Sequence, residues 1–480
     1  MSRLVVVSNR VAMPDKAGGA SVGGLTMALA AALQQYRGVW FGWSGETIPQ
    51  FTGEAHIRET GGATIVTIDL EAQDVQEYYN GYANTVLWPL FHYRIDLTEY
   101  ERAYGEGYAR VNARFAETLL SQVQPDDMIW VHDYHLIPLA QELRRRGLKN
   151  RIGFFLHIPW PACQLMTTLP RHRELVEALF AYDLVGFQTE DWLSAFHGYV
   201  TDEVDGTIHP DGCVSAFGRT VRAAAFPIGI DAENFAEILK TPAAAKSFDR
   251  AAATNVYREL IMGVDRIDYS KGLEERFAAF EQFLETNPEF RERVAYLQIA
   301  QTSRGDVEAY QDIRTRLDGV AGRINAAYGT LDWTPLRYVN RSYGRDFLAG
   351  VYRAAKVGLV TPLRDGMNLV AKEYVAAQNP HDPGVLVLSR FAGAARQMKA
   401  ALIVNPYSRE DVADAIKRGL TMPKAERIQR WEALMTGVRT EDVSVWRDAF
   451  VAALQASQAP PRPAGRSTAV ASRTPALTGC

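Results

Sequence analysis

The chain has 480 residues, 47% hydrophobic and 22% charged, with a formal net charge of −4. This length predicts two or three domains of ordinary globular composition, and the charge gives no reason to expect nucleic acid or an anionic membrane as partner. No apolar run reaches the ~18 residues of a membrane span, and three scattered cysteines, Cys163, Cys213 and Cys480, argue against a disulfide framework and against a Cys-based zinc site.

Leu4–Ser8 (LVVVS) reads as a buried strand that starts with no signal-peptide pattern before it, so a cytoplasmic protein is expected. Asn9 and Arg10 follow at its end. Gly18, Gly19, Gly23 and Gly24 then form a glycine-rich loop before a helix over Leu25–Tyr36. The loop lacks the Gly-Lys-Ser/Thr ending of a P-loop and the G-x-G-x-x-G spacing. Val39–Gly45 and Glu77–His92 are dense in aromatics. Most of these read as core, yet Tyr and Trp with Asn and Gly on irregular loops also suit the faces of a sugar.

Met128–Val131 is a strand that ends in His132-Asp133-Tyr134-His135, and Arg151–Leu156 one that ends in His157. In parallel α/β sheets ligands gather outside the carboxyl ends of strands. His132-x-x-His135 lacks an HExxH context, and no metal site is expected. Leu184–Gln188 leads through Thr189 into a capped helix. Residues 200–255 change character around Phe226–Asp231, which marks a domain boundary.

The second half restarts with the strand Leu260–Val264 and a loop carrying Arg266 and Lys271. Two cations at a strand end fit two phosphates; the plainer reading is salt bridging to Asp265, Asp268 and Glu274. Tyr296–Ala300 ends in Thr302-Ser303-Arg304. Val357–Val360 leads through the turn signals Pro362 and Asp365-Gly366 into a helix from about Asn368. The free amides of that helix start, at Met367, Asn368, Leu369 and Val370, suit a phosphate. Asp365 and Glu373 are better matched to neutral hydroxyls. A further strand, Gly384–Leu388, and a last helix, Val443–Leu454, complete the pattern, and the Pro/Ala/Ser-rich end reads as disordered.

Strands alternate with helices in both halves. The expected fold is α/β, with two doubly wound Rossmann-like domains facing a central cleft: residues 1–230, residues 231–456 with the last helix able to pack back on the first domain, and a tail, 457–480. Cations and a helix start in one half, with Arg10, aromatics, Asp133 and His157 in the other, point to a nucleotide-sugar glycosyltransferase. No DxD-type motif stands at a strand end. The leaving diphosphate is therefore expected to be neutralised by Arg266, Lys271 and helix amides, with no metal and no cofactor.

The stretches LVVVSNR, WFGWSGE, EYYNGYANTVLWPLFHY, WVHDYHL, GFFLHIPWP, VGFQTE, DRIDYSKG, TSRGDV and TPLRDGMNLVAKEYVAAQ occur in order over roughly residues 1–455. Together they resemble the trehalose-6-phosphate synthase family, retaining glucosyltransferases of GT-B architecture. The resemblance implies transfer of glucose from UDP-glucose to the anomeric hydroxyl of glucose 6-phosphate, and a homo-oligomer, dimer or tetramer. It implies that Arg10, Tyr79, Trp88, Asp133 and Arg304 bind glucose 6-phosphate, with Arg10 and Arg304 on its phosphate. Gly23, Gly24, Arg266 and Lys271 would meet the donor diphosphate. Asp365, Gly366 and the amides through Leu369 and Val370 would meet the donor glucose, Glu373 the ribose, and His157 the reacting carbon. Where the family commonly has HIPFP this chain has HIPWP, and Asp265 replaces a usual Glu. Competing readings are another nucleotide-glucose donor, another phosphorylated acceptor, or a catalytically silent sugar-phosphate sensor. A phosphatase is disfavoured, since no D-x-D-x-[TV] pattern occurs.

Overall fold

The computed structural model describes residues 3–11, 33, 38–60, 62–253, 258–302 and 307–457, with backbone alone at 60 and 308. Two sheets organise them. The first holds β1 (Leu4–Arg10), β2 (Val39–Ile48), β3 (His56–Thr60), β4 (Ala63–Glu71), β5 (Met128–His132), β6 (Arg151–Phe155), β7 (Leu184–Phe187), β8 (Thr207–Ile208), β9 (Cys213–Ala216) and β10 (Arg219–Ala225). Their order is β3-β4-β2-β1-β5-β6-β7-β10-β9-β8. Pairing is parallel from β4 through to β10, and antiparallel where β3, β9 and β8 extend the edges. The continuous apolar runs have their cause here: Leu4–Val7 and Met128–Val131 are buried on both faces, as parallel strands covered by helices are.

The second sheet is wholly parallel. It contains β11 (Glu259–Arg266), β12 (Val294–Gln301), β13 (Leu336–Val339), β14 (Val357–Val360), β15 (Val385–Ser389) and β16 (Leu402–Val404), in the order β13-β12-β11-β14-β15-β16. Counted within that half this is 3-2-1-4-5-6, the doubly wound order whose switch point lies between its first and fourth strands. The first half repeats the logic, since β1 is flanked by β2 on one side and β5 on the other. The loops after β1 and β5, and after β11 and β14, are therefore where each half should bind ligands. The architecture is GT-B, two Rossmann-like sheets with helices on their faces.

The chain leaves the first sheet after β10, and residues 226–231 cross to the second half. A second crossing at Glu441–Asp442 leads into the last helix, Val443–Ala456, which lies against β6 and β7 of the first sheet. Two glycines make room for it. A Cβ on Gly153 or Gly186 would come within 2.8 Å of the Phe450 ring. Phe450 in turn stacks on Trp130, centroids 4.6 Å apart, and Trp446 packs beside it.

The aromatic stretch at 77–92 departs from the expected irregular loop. Val75–Leu87 is a π-helix and Trp88–Phe91 an α-helix. Tyr78 and Tyr82, four apart, turn into the core against Tyr108, and Gly81 lets the segment close on Tyr104. Pro89, near a helix start, breaks nothing. The expected helix over Leu25–Tyr36 and the tail beyond Ser457 lie outside the described residues, apart from Leu33. No described helix is long and apolar enough to cross a membrane.

Phe450 is fully buried. Phe450→Ala should cost about 3–5 kcal/mol of unfolding free energy, measured by urea titration. A loss under about 1 kcal/mol would mean that the last helix does not secure the first sheet.

Candidate active site

A cleft of about 520 Å³ lies at the switch point of the second sheet, lined from both halves by residues that include His157, Arg266, Lys271, Asp365, Asn368 and Glu373. Its floor begins with a short helical turn after β11. Asp268 caps that turn, accepting from Ser270 N at 2.9 Å and Ser270 Oγ at 2.8 Å. Beneath it Arg276 is fully buried. Its guanidinium donates to Asp265 Oδ2 at 2.7 Å, Gln298 Oε1 at 3.0 Å, Thr361 Oγ1 at 2.9 Å and the Lys271 carbonyl at 3.1 Å. The ends of β11 and β14 and the middle of β12 are thus tied together by one side chain.

Lys271 Nζ donates to Asp365 Oδ2 at 2.5 Å. Burial pushes the Asp365 carboxyl up, but Lys271 and Asn368 outweigh it and hold the group below the usual carboxylate range. Asn368 has a positive φ of 83°. Its Nδ2 donates to Asp365 Oδ2 at 3.1 Å, and its Oδ1 accepts from Ala371 N at 3.2 Å, capping the helix Leu369–Ala377. Met367, Leu369 and Val370 line the cleft at that helix start. Glu373, one turn further, faces Arg345 Nε at 3.4 Å. Burial raises the Glu373 carboxyl above its ordinary range, and Arg345 opposes this in part. Gly366 could hardly be another residue: a Cβ there would meet the His157 carbonyl oxygen at 1.9 Å. Its own carbonyl accepts from Trp192 Nε1 of the first half at 3.2 Å.

In the first half, Asp133 follows β5 with φ 74°, a conformation strained for any residue but glycine. Its Oδ1 accepts from His157 N at 3.2 Å, tying the ends of β5 and β6 together. The guanidinium of exposed Arg10 lies 5.6 Å from the Trp43 ring. Trp43 meets Tyr79 edge-on at 5.7 Å, and Tyr79 stacks on His135 at 5.9 Å. Arg10, Tyr79 and Asp133 are therefore gathered at the carboxyl ends of β1 and β5. Trp88 sits at the junction of the halves: Arg266 lies 5.3 Å over its ring, and its Nε1 reaches Asp268 Oδ1 at 3.4 Å. Gly23, Gly24 and Arg304 lie outside the described residues.

His157 is held by a network that assigns its tautomer. Gln188 Oε1 accepts from Ile228 N at 3.0 Å, so Gln188 Nε2 donates to His157 Nδ1 at 3.3 Å. The ring proton is then on Nε2, facing His132 Nδ1 at 3.0 Å. Burial pulls the His157 pKa down to about 3 and that of His132 well below its ordinary value. His132 is thus a buried partner of His157 and His135 a stacking partner of Tyr79. Among the described residues no group of three or more His, Cys, Asp or Glu side chains could hold a metal ion.

Sequence reasoning missed Gln188, Gln301, Arg341, Tyr343 and Arg345 on the cleft wall, and Arg276 beneath it. Arg345 opens a helix rather than following a strand, so strand-end logic passes over it. Of the salt bridges weighed for the Arg266–Lys271 loop, the one between Arg266 and Asp268 is present, while Asp265 and Glu274 pair elsewhere. Asp265 pairs with Arg276, Lys271 with Asp365, and Arg266 stands 3.7 Å from Asp268.

The family model that matches this chain is glycosyltransferase family 20, over residues 2–456. A trehalose-6-phosphate synthase of Sinorhizobium fredii is 52% identical over 464 residues, covering 95% of this chain and 99% of that protein. Among solved structures, the UDP-forming α,α-trehalose-phosphate synthase of Burkholderia xenovorans in complex with glucose-6-phosphate is 52% identical. Its TM-score is 0.91, with 95% of this chain and 100% of that one covered. An E. coli structure bound with UDP-2-fluoro glucose gives a TM-score of 0.91 at 48% identity, covering 96% and 100%.

Burial keeps His92, His132 and His157 neutral, with His92 lowered to about 4 and His157 to about 3. The unfolded chain protonates such groups below about pH 6.5, while the fold does not until far lower pH. The unfolded state therefore binds more protons, and stability falls as pH falls from about 6.5 towards the folded values. The loss is on the order of 1 kcal/mol per histidine at pH 5.5. Urea midpoints at pH 7.5 and 5.5 test this; equal midpoints would contradict the neutral assignment.

Proposed function

We infer the activity of this chain from its family: it belongs to glycosyltransferase family 20. It transfers glucose from UDP-glucose to the anomeric hydroxyl of glucose 6-phosphate with retention, giving α,α-trehalose 6-phosphate and UDP. The observation that carries this is a match of about 50% identity along nearly the whole chain to synthases of this name, one bound with glucose-6-phosphate and one with a UDP-glucose analogue.

The roles of individual residues extend that reading. Arg266 and Lys271 take the donor diphosphate, with Gly23 and Gly24 against it. Asp365 and the amides of Gly366 to Val370 hold the donor glucose, and Glu373 the ribose hydroxyls. Arg10 and Arg304 take the acceptor phosphate, while Tyr79, Trp88 and Asp133 seat its sugar. His157 lies by the reacting carbon and, neutral with its ring nitrogens engaged, serves as a fixed polar wall rather than an acid. The enzyme works without a metal ion or cofactor, in the cytoplasm, as a homo-oligomer.

Front-face substitution is the mechanism this cleft favours. Three carboxylates line it, Asp265, Asp365 and Glu373, and each faces a cation: Arg276, Lys271 and Arg345. None is left as a nucleophile for a double displacement. In the proposed step the bond from C1 to the diphosphate oxygen breaks. The acceptor oxygen bonds to C1 on the same face, and its proton passes to the departing diphosphate oxygen. Negative charge grows on the diphosphate in the transition state, where Arg266 and Lys271 act most strongly.

UDP release from UDP-glucose in the presence of a chelator should require glucose 6-phosphate and yield a phosphorylated non-reducing disaccharide. Arg266→Ala and Lys271→Ala should each lower kcat by about 100-fold or more. Near-parental kcat in both would refute their place at the leaving group, and silence with every nucleotide-glucose would refute the transfer itself.

A further inference from the structure

Lys372 is a lysine the reaction leaves unexplained. It is only 2% exposed and stands on the helix Leu369–Ala377, beside Glu373. Its Nζ donates to the Ile228 carbonyl at 2.7 Å and to Gln397 Oε1 at 2.7 Å. Gln397 Nε2 then donates to Glu441 Oε2. Ile228 belongs to the crossing from the first half to the second, and Glu441 to the crossing back. The two crossings touch. Val443 N donates to the Ile230 carbonyl at 3.4 Å, and a Cβ on Gly229 would lie 2.1 Å from the Glu441 carbonyl oxygen.

A single ammonium thus joins the helix of the donor site to both strands of chain about which the halves can rotate. The link also continues the other way. Ile228 N donates to Gln188 Oε1, and Gln188 Nε2 to His157. Polar contacts therefore run without a break from His157 through the pivot to the residue next to Glu373. A methionine would fill the same volume with no charge to desolvate, and an isolated buried cation is costly. Burial pulls the Lys372 pKa down to about 8, against the pull of Glu441. An ammonium with three rotatable donors can keep both acceptors while a peptide at a pivot turns, which a planar group cannot.

We propose that Lys372 is a positioning residue that couples closure of the halves at the two crossings to the seating of the donor on the helix Leu369–Ala377. This rests on the transfer activity inferred above. The test uses the full chain and the variants Lys372→Met and Gln397→Leu. Small-angle scattering is recorded with and without UDP plus glucose 6-phosphate, UDP binding is measured by calorimetry, and kcat is measured in parallel.

The parent should contract on ligand addition. Lys372→Met should contract less and lose about tenfold in kcat, while its UDP affinity stays within about threefold. Gln397→Leu, which severs only the arm to Glu441, should shift both readouts the same way by less, and it carries the test if Lys372→Met does not fold. A lysine needed only for folding would lower the melting temperature of folded variants and leave contraction and kcat alone; that result overturns the proposal. A parent that turns over without contracting overturns it too and leaves the transfer reading standing. A parent that releases no UDP sinks the transfer reading, and this proposal with it.

Discussion

One buried guanidinium sets the geometry of the second half. Arg276 has no exposed atom of consequence and spends its donors on Asp265, Gln298, Thr361 and the Lys271 carbonyl. Those acceptors stand near the end of β11, within β12, just after β14 and in the loop that carries Lys271. A buried charge is tolerated only when paired and fully hydrogen-bonded, so the four acceptors are held in one arrangement. Lys271 is thereby aimed at Asp365, and Asp365 at Asn368, which caps the helix Leu369–Ala377. Without that anchor the loops after β11 and β14 would be two surface turns.

Much of this was legible in the sequence, and what was legible had a local cause. Continuous apolar runs of four or five residues, each followed by a polar loop, gave away parallel strands and the end of the sheet where ligands gather. The turn Asp365-Gly366 and the helix after Asn368 could be read from turn chemistry and helical spacing. The partner of each charge could not. Lys271 lies 94 positions from Asp365 and Arg345 lies 28 from Glu373, and no local pattern encodes such pairs. Arg276 looked like an ordinary helix residue because its burial is decided by strands that arrive later in the chain. The π-helical segment Val75–Leu87 was obscured for another reason. Its Asn80-Gly81 pair reads as a turn signal, although Tyr78 and Tyr82 on either side share a helical spacing and are both buried.

Besides their side-chain contacts, the two halves approach through backbone, close to two strained residues. Asp133 and Asn368 both have positive φ, Asp133 directly after β5 and Asn368 at the start of the helix that follows β14. Neither is glycine, so each conformation carries a cost of order 1–3 kcal/mol. In each case the side chain secures something local: Asp133 the amide of His157, Asn368 the amide of Ala371. Between them lies the contact of Gly366 with the His157 carbonyl, which no larger residue could make. Strain and close approach together place the turn at Gly366 and the end of β6 within one van der Waals contact of each other.

Charge balance in the cleft then constrains how a donor can enter. Lys271 is already satisfied by Asp365, and Glu373 by Arg345. On the proposed reading, a diphosphate that takes Lys271 must leave Asp365 without its cation, in a site where burial disfavours the bare carboxylate. The glucose hydroxyls are what restore its hydrogen bonds, with Asn368 Nδ2 remaining in place. A nucleotide diphosphate lacking the sugar would remove the cation without replacing those donors. The exchange of partners therefore favours the complete nucleotide sugar over its leaving group. On the same reading it leaves Lys271 beside the diphosphate oxygen on which charge accumulates as the glycosyl bond breaks.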